Sequence, residues 1–384
     1  MSEYKNQHYI PQFYLQHFSN DGVGLYRYSL ERKTLERRNI DKTCASFYFY
    51  SEGDKSSESE RVMSGMETIH SKIVHKILKN RNLEDLSFED LPFLHNFILL
   101  TATRTRASKK DMDAMANAVL DIMKPSLVER EEFKAESITL ESLNDLKLVR
   151  KGANDFAMLM AMVGPALISD LAVTLLINKT KRPLITSDDP VVLFNFIKAG
   201  DLGMRGFQSP GLMIYLPLDE EIALCLFDPS VYWLRVNTKG NVVLIKNHDV
   251  NELNRLQVLN ADEHLIFSSP DNEGYARYLH EPLDKHRLKK NSMDVWSDHV
   301  VKDEHHLIYK FSDANTDYSP HFSFIRLNKP KIMAYKKAFR DLRHDRAYSF
   351  IRNQEIVDYV DARYHEEMEN GRRAFEEESM KRDT

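Results

Sequence analysis

The chain has 384 residues and a formal charge of −5, from 53 Lys and Arg against 58 Asp and Glu. That length suits one large domain or two ordinary ones, and 42% hydrophobic with 10% aromatic residues supply a substantial core. The small charge excludes a global basic field of the kind that binds nucleic acid without regard to sequence, leaving a local basic groove open, and two isolated cysteines, Cys44 and Cys225, exclude a disulfide framework and a thiolate zinc site.

Residues 1–8 carry no apolar stretch behind a basic head, so no secretory leader is expected, and the cysteine usage fits a reducing cytoplasm. Residues 8–18 read as a short amphipathic helix with Pro11 in its first turn. Gly22 and Gly24 punctuate, residues 25–30 alternate like a strand, and Glu31-Arg32-Lys33 turns into a second strand to give a hairpin. Residues 47–50 read as a short aromatic strand.

From residue 56 to 78 the pattern is helical, with Met66, Ile69, Ile73 and Ile77 spaced along one face. A second helix is expected over 88–106, with Phe93, Phe97 and Leu100 inward, and a third over 111–123. Residues 156–177 are almost wholly apolar and long enough to span a bilayer, but Gly164-Pro165 and Asp170 interrupt them. A charge near the bilayer centre costs about 3 kcal/mol. The reading is therefore a buried helix to about Val163, a turn, and a buried strand over 171–177, with no membrane association.

Short strands follow at 183–186, 191–194, 212–216, 222–227, 231–236 and 242–245, then a helix over 249–262 and a strand at 265–267. Beyond about 270 the character shifts, and residues 283–306 are polar and His-rich. Residues 346–381 read as one long charged helix with Phe350, Val357, Val360, Tyr364 and Met368 as a single apolar stripe, suited to docking on the parent domain or to pairing with a second copy. The expected fold class is α+β: a helical N-terminal half packed with a mixed, mostly antiparallel sheet, plus a long C-terminal helix. The expected division is 1–270 for the main domain and 271–384 for a charged extension.

Several segments recur as a set. They are His8-Tyr9-Ile10-Pro11-Gln12-Phe13-Tyr14-Leu15 with Phe18; the helix end Phe97-Ile98-Leu99-Leu100-Thr101-Ala102-Thr103-Arg104-Thr105; and Ile185-Thr186-Ser187-Asp188-Asp189-Pro190-Val191. Tyr215-Leu216-Pro217-Leu218 and Asn254-Arg255-Leu256-Gln257 follow them. In this order and spacing, over roughly residues 5–270, the chain resembles the bacterial family called domain of unknown function 4238. The resemblance implies a fold and a set of polar positions, but no activity. The chain departs from the family pattern at Thr101, where a Gln would stand three residues before Arg104.

His8, Gln12, Arg104, Ser187 and Asp188 all fall at element ends, where side chains can leave the core and converge. Asp188 beside His8 and Arg104 would make an acid–base pair with an anion clamp, suited to hydrolysis of a phosphodiester or similar ester. Each residue also has a purely structural reading. Ser187-Asp188-Asp189-Pro190 is good turn chemistry, His8 can hydrogen-bond inside the fold, Arg104 complements a helix C-terminus, and Gln12 can support a neighbour.

Other patterns carry less. Gly200, Gly203 and Gly206 near Arg205 lead into Pro210 and not into a helix, so they lack the dipole that grips phosphate. Glu31-Arg32-Lys33 matches half of a restriction-type nuclease core, with only Asp21 upstream. His299, His305 and His306 cluster without metal-ligand spacing, and no G-x-S-x-G elbow occurs. Three functions remain: a hydrolase or nuclease-like enzyme using His8, Arg104 and Asp188, with Mg²⁺ as an option; a non-catalytic module binding an anionic ligand or nucleic acid through Arg104 and Arg106; and an interaction protein forming a homodimer through its C-terminal helix. No cofactor is specified.

Overall fold

In this computed structural model the described residues are 6–47, 57–135, 138–148, 154–197, 206–287, 294–298, 308–312, 318–342, 351–356, 358, 359, 362 and 366. The chain opens with strand β1 (Asn6–His8) and helix α1 (Gln12–Gln16), followed by the expected hairpin, β2 (Gly24–Ser29) and β3 (Leu35–Asn39). Strand β4 (Ala45–Phe47) returns antiparallel to β1 and places His8 opposite Ala45. Helices α2 (Ser57–Asn80), α3 (Asp90–Thr103), α4 (Arg106–Val128), α5 (Glu131–Ala135) and α6 (Asn154–Leu167) come next.

The strand block comprises β5 (Ala172–Asn178), β6 (Thr186–Ser187), β7 (Val192–Asn195), β8 (Leu212–Pro217), β9 (Ile222–Phe227), β10 (Tyr232–Leu234) and β11 (Val242–Leu244). Helix α7 (Asn247–Asn260) and strand β12 (His264–Phe267) follow. Beyond them lie α8 (Glu273–His280), α9 (Asp284–Arg287), β13 (Asp294–Asp298), β14 (Ile308–Ser312), β15 (Ile325–Leu327) and α10 (Lys329–Leu342).

The central sheet has the order β11-β5-β9-β8-β7, antiparallel except where β11 runs parallel to β5. Strands β8 and β9 are buried at every position, as a sheet covered on both faces requires. Alternation divides their side chains. Ile214, Leu216, Leu224 and Leu226 join Tyr14 and Phe97 in one core cluster, while Met213, Tyr215, Ala223 and Cys225 join Leu253 of α7 and Phe322 in another. A second, wholly antiparallel sheet has the order β3-β2-β12-β6 and packs Tyr28, Leu265 and Phe267 against Tyr275 and Leu279 of α8.

The α+β class holds, but the expected helical N-terminal half does not: among the described residues four strands precede α2, and helices are spread through the chain. The unforeseen strand β1 is three polar residues with no alternating apolar face, and the aromatic strand expected over 47–50 lies, beyond Phe47, outside the described residues. Helix α6 also runs through Gly164-Pro165, where a turn was expected. Proline lacks the N–H that would bond the carbonyl of Ala161 four residues back. That carbonyl instead accepts from Asn96 Nδ2 of α3 at 2.5 Å, so the helix continues to Leu167. Most of the expected C-terminal helix over 346–381 lies outside the described residues.

Candidate functional site

Two polar clusters form where the N-terminal segment meets α2, α3 and the 186–190 turn. Backbone pairing sets the first. The Tyr9 N–H donates to Cys44 O at 2.9 Å, which fixes the end of β1 and presents His8 beside the 40–41 turn. Pro11 starts α1, and Gln12, its first residue, folds its amide back so that Nε2 lies 3.2 Å from His8 Nδ1. The half-buried imidazole directs its N–H at the main chain of Ile40 and Asp41. Burial lowers its pKa below the usual 6.5, against the opposing pull of those backbone bonds and of Glu67, so the ring is neutral at pH 7.

Arg104 is the C-cap of α3, where its N–H bonds Leu100 O at 3.2 Å. Its side chain is only 1% exposed, and Nη1 donates to Glu67 Oε1 of α2 at 2.8 Å. The Glu67 side chain is 32% exposed, so the carboxylate forms the accessible edge of a buried pair. One turn further along α2, His70 donates from Nε2 to Asn96 Oδ1 at 2.8 Å. Burial pushes its pKa down to about 4, so it too is neutral. Asn96 thereby joins His70 to the Ala161 carbonyl that Pro165 leaves open.

The second cluster centres on the turn after β6. Ser187 is fully buried opposite Leu265, and the Asp188 N–H continues the pairing to His264 O at 3.1 Å. The Asp188 carboxylate accepts the main-chain N–H groups of Asp262 and Glu263 at 2.9 Å and of His264 at 3.0 Å. It therefore caps the link between α7 and β12, across the sheet and not within its own turn. Ser187 Oγ donates to Gln257 Oε1 at 2.9 Å, and Gln257 Nε2 donates to Pro190 O at 2.6 Å. One turn away on α7, Asn254 accepts the Ile185 N–H at 3.1 Å and donates to Pro183 O at 2.8 Å. A helix face thus holds an irregular strand segment by side-chain amides where a sheet ladder would otherwise do so.

The two clusters share backbone but not partners. Arg104 pairs with Glu67, and the Glu67 charge also acts on the His8 ring. The chain neighbours of His8 and Arg104 turn to the other cluster: Thr105 Oγ1 donates to Asp189 Oδ1 at 3.2 Å, and the Arg106 guanidinium lies over the Tyr9 ring at 5.4 Å from its centre. Gln12 contacts His8, whose ring also feels the Arg104 charge, whereas Asp188, Ser187 and Arg106 lie with the 262–264 link. Sequence reasoning passed over Glu67, His70 and Asn96. The signal for His70 was present: Met63, Ile73, Val74 and Ile77 are buried while Ile69 is 37% exposed, so the inward face is rotated from the chosen stripe and His70 sits on it.

Asp188, Glu263 and His264 place potential ligand atoms within 4.8 Å of one another. The site does not fit a Mg²⁺ ion, because Asp188 already accepts three N–H groups and Lys110 and Arg106 reach Glu263 at 3.6 and 3.7 Å. Arg287 adds a further cation through bonds to Ala261 O at 2.8 Å and Asp262 O at 2.9 Å.

The fold and the paired clusters describe an α+β protein in which separate sequence motifs close on one another. Tyr14 of the opening motif contacts Thr186 Oγ1 at 2.7 Å and donates to Pro217 O at 2.8 Å, joining three of the recurring segments. A family model described as "Protein of unknown function (DUF4238)" matches residues 6–272, and the chain belongs to that family. No curated protein and no solved structure matches the chain.

Proposed function

We propose that His8, Glu67 and Arg104 form the proton-transfer site of a hydrolase acting on an ester. Its support is that a neutral, half-buried imidazole feels the charge of Glu67, a carboxylate that is itself a third exposed and holds the Arg104 guanidinium at 2.8 Å. In this reading His8 is the general base, with its N–H oriented by the 40–41 main chain, which leaves the other ring nitrogen to accept a proton. Glu67 is the ionisable partner that holds the imidazolium once formed. Arg104 is a positioning residue, since its buried guanidinium reaches substrate only through Glu67. Gln12, exposed and already on the ring, is the group a substrate would displace.

The experiment is a substrate panel read for wild type and two variants. The panel is p-nitrophenyl acetate, p-nitrophenyl phosphate, bis-p-nitrophenyl phosphate and labelled single-stranded DNA and RNA, each with and without Mg²⁺. Turnover of one class that falls about 10²–10⁴-fold in His8→Ala, with an unchanged melting temperature, is expected. Turnover equal in wild type and His8→Ala overturns the assignment. Cleavage of the nucleic acids would make the enzyme nuclease-like.

A second reading is a non-catalytic module for an anionic ligand. Its support is Arg106, whose side chain is 38% exposed and only loosely paired to Glu263 at 3.7 Å. It predicts that phosphate or an oligonucleotide raises the melting temperature of wild type and His8→Ala alike, and not of Arg106→Ala.

A further inference from the structure

Asp170 is the one charged residue between 156 and 177. It follows α6 in the turn before β5, and its carboxylate receives the guanidinium of Arg352, a residue far beyond the matched family segment. Nε donates to Oδ2 at 2.7 Å and Nη2 to Oδ1 at 2.8 Å, the two-bond geometry that the planar fork favours. The same group donates to three main-chain carbonyls: Leu167 O at 3.0 Å, Phe207 O at 3.1 Å and Ser209 O at 3.0 Å. The Arg352 N–H adds a bond to Gln208 O at 2.6 Å. The Arg352 side chain is 6% exposed and that of Asp170 22%.

The socket has a consistent chemistry. Leu167 is the last residue of α6, so its carbonyl lacks an intrahelical partner at the negative end of the dipole, and it also accepts from Gln208 Nε2. The 207–209 carbonyls converge from the other side. Every group offered is an acceptor, and every one belongs to the matched segment 6–272. The occupant comes from outside that segment. Among described residues 351–356, the hydrogen bonds to the body of the protein all run through Arg352, while the Ile356 N–H stays within the segment, on Asn353.

We propose that Leu167, Asp170, Phe207 and Ser209 form a binding site for a guanidinium carried on a peptide segment, and that the chain fills it in cis with Arg352. The C-terminal segment is then a latch held by one side chain. Lys cannot replace Arg, because an ammonium cannot span both carboxylate oxygens and the three carbonyls. This inference is independent of the His8 assignment.

The test uses the full chain. A fluorescein-labelled peptide of residues 346–359 is titrated into Arg352→Ala, wild type and the double variant Arg352→Ala with Asp170→Asn. Binding to Arg352→Ala is expected, at least tenfold weaker to wild type, whose socket is filled, and at least tenfold weaker to the double variant. Equal binding of a peptide with Ala at 352, or no binding to Arg352→Ala, overturns the proposal. Should Arg352→Ala fail to fold, hydrogen exchange on Arg352→Lys reads the same contact. The amide at 352 is expected to exchange at least tenfold faster than in wild type, and unchanged protection overturns the proposal equally.

Discussion

Arg104 and Glu67 meet at 2.8 Å with the cation 1% exposed and the anion 32% exposed, so the desolvated partner is the one that cannot shed its charge. Removing the carboxylate takes this opposite charge away from a buried cation. Glu67→Ala is expected to cost about 3 kcal/mol in urea unfolding, at the low end for breaking a buried pair because Glu67 is partly solvated. Glu67→Gln, which keeps an acceptor for Nη1, loses less. Equal stability of Glu67→Ala and wild type would show that the pair does not hold α2 to the end of α3.

Asp188 is the sole side-chain acceptor for three consecutive N–H groups. Asp188→Ala leaves these part-buried groups without that acceptor and is expected to destabilise by about 2 kcal/mol, and Asp188→Asn, which keeps one carbonyl oxygen, by roughly half that. Thermal unfolding with far-UV detection checks the order. A variant as stable as wild type would free Asp188 from this structural role and return it to the candidate catalytic residues.

Five histidines, His8, His17, His70, His95 and His280, are held below their usual pKa of 6.5, each chiefly by burial. Below 6.5 the unfolded chain binds more protons than the folded one. The stability they contribute is therefore complete above 6.5 and is lost as pH falls toward the folded values, about 4 for His70. His70 alone accounts for about 3 kcal/mol across that window. In His70→Gln, which does not titrate, the fall in unfolding free energy between pH 7 and pH 4 is expected to shrink by about that amount. An identical fall would mean that His70 takes up its proton over the same pH range in the folded and unfolded chain.

Tyr14 is fully buried and bridges Thr186 and Pro217. Tyr14→Phe keeps the ring and removes the bridge, at an expected cost of about 1–2 kcal/mol. A cycle with Thr186→Val should show coupling between the two sites, and strict additivity would indicate that the hydroxyls do not interact.

Legibility in the sequence follows the physics of each element. The strand over 222–227 was readable to the residue because a doubly covered strand is a continuous apolar run. The helix over 88–106 was found, yet Phe93 is 41% exposed, since an almost uniformly apolar segment has no stripe to orient it. Helix α10 was not anticipated within the charged extension. At the candidate site, the contact of Gln12 with His8 was foreshadowed because the two residues sit four apart at the start of an element. Glu67 was not, because its importance comes from a partner 37 residues away and nothing local marks it. The pairing of Asn254 and Gln257 with 183–190 was likewise invisible, although both segments had been noticed separately.

The β2–β12 pairing has a consequence for how the protein is made. Hairpin β2–β3 is complete by Asn39, but the strand that covers its free edge begins at His264. At about 5–20 residues per second, a ribosome needs roughly 10–50 s to supply it. For that interval the Tyr26–Ser29 edge is an open template in the nascent chain, and the cell must keep it from pairing with a neighbouring polypeptide before its own partner emerges.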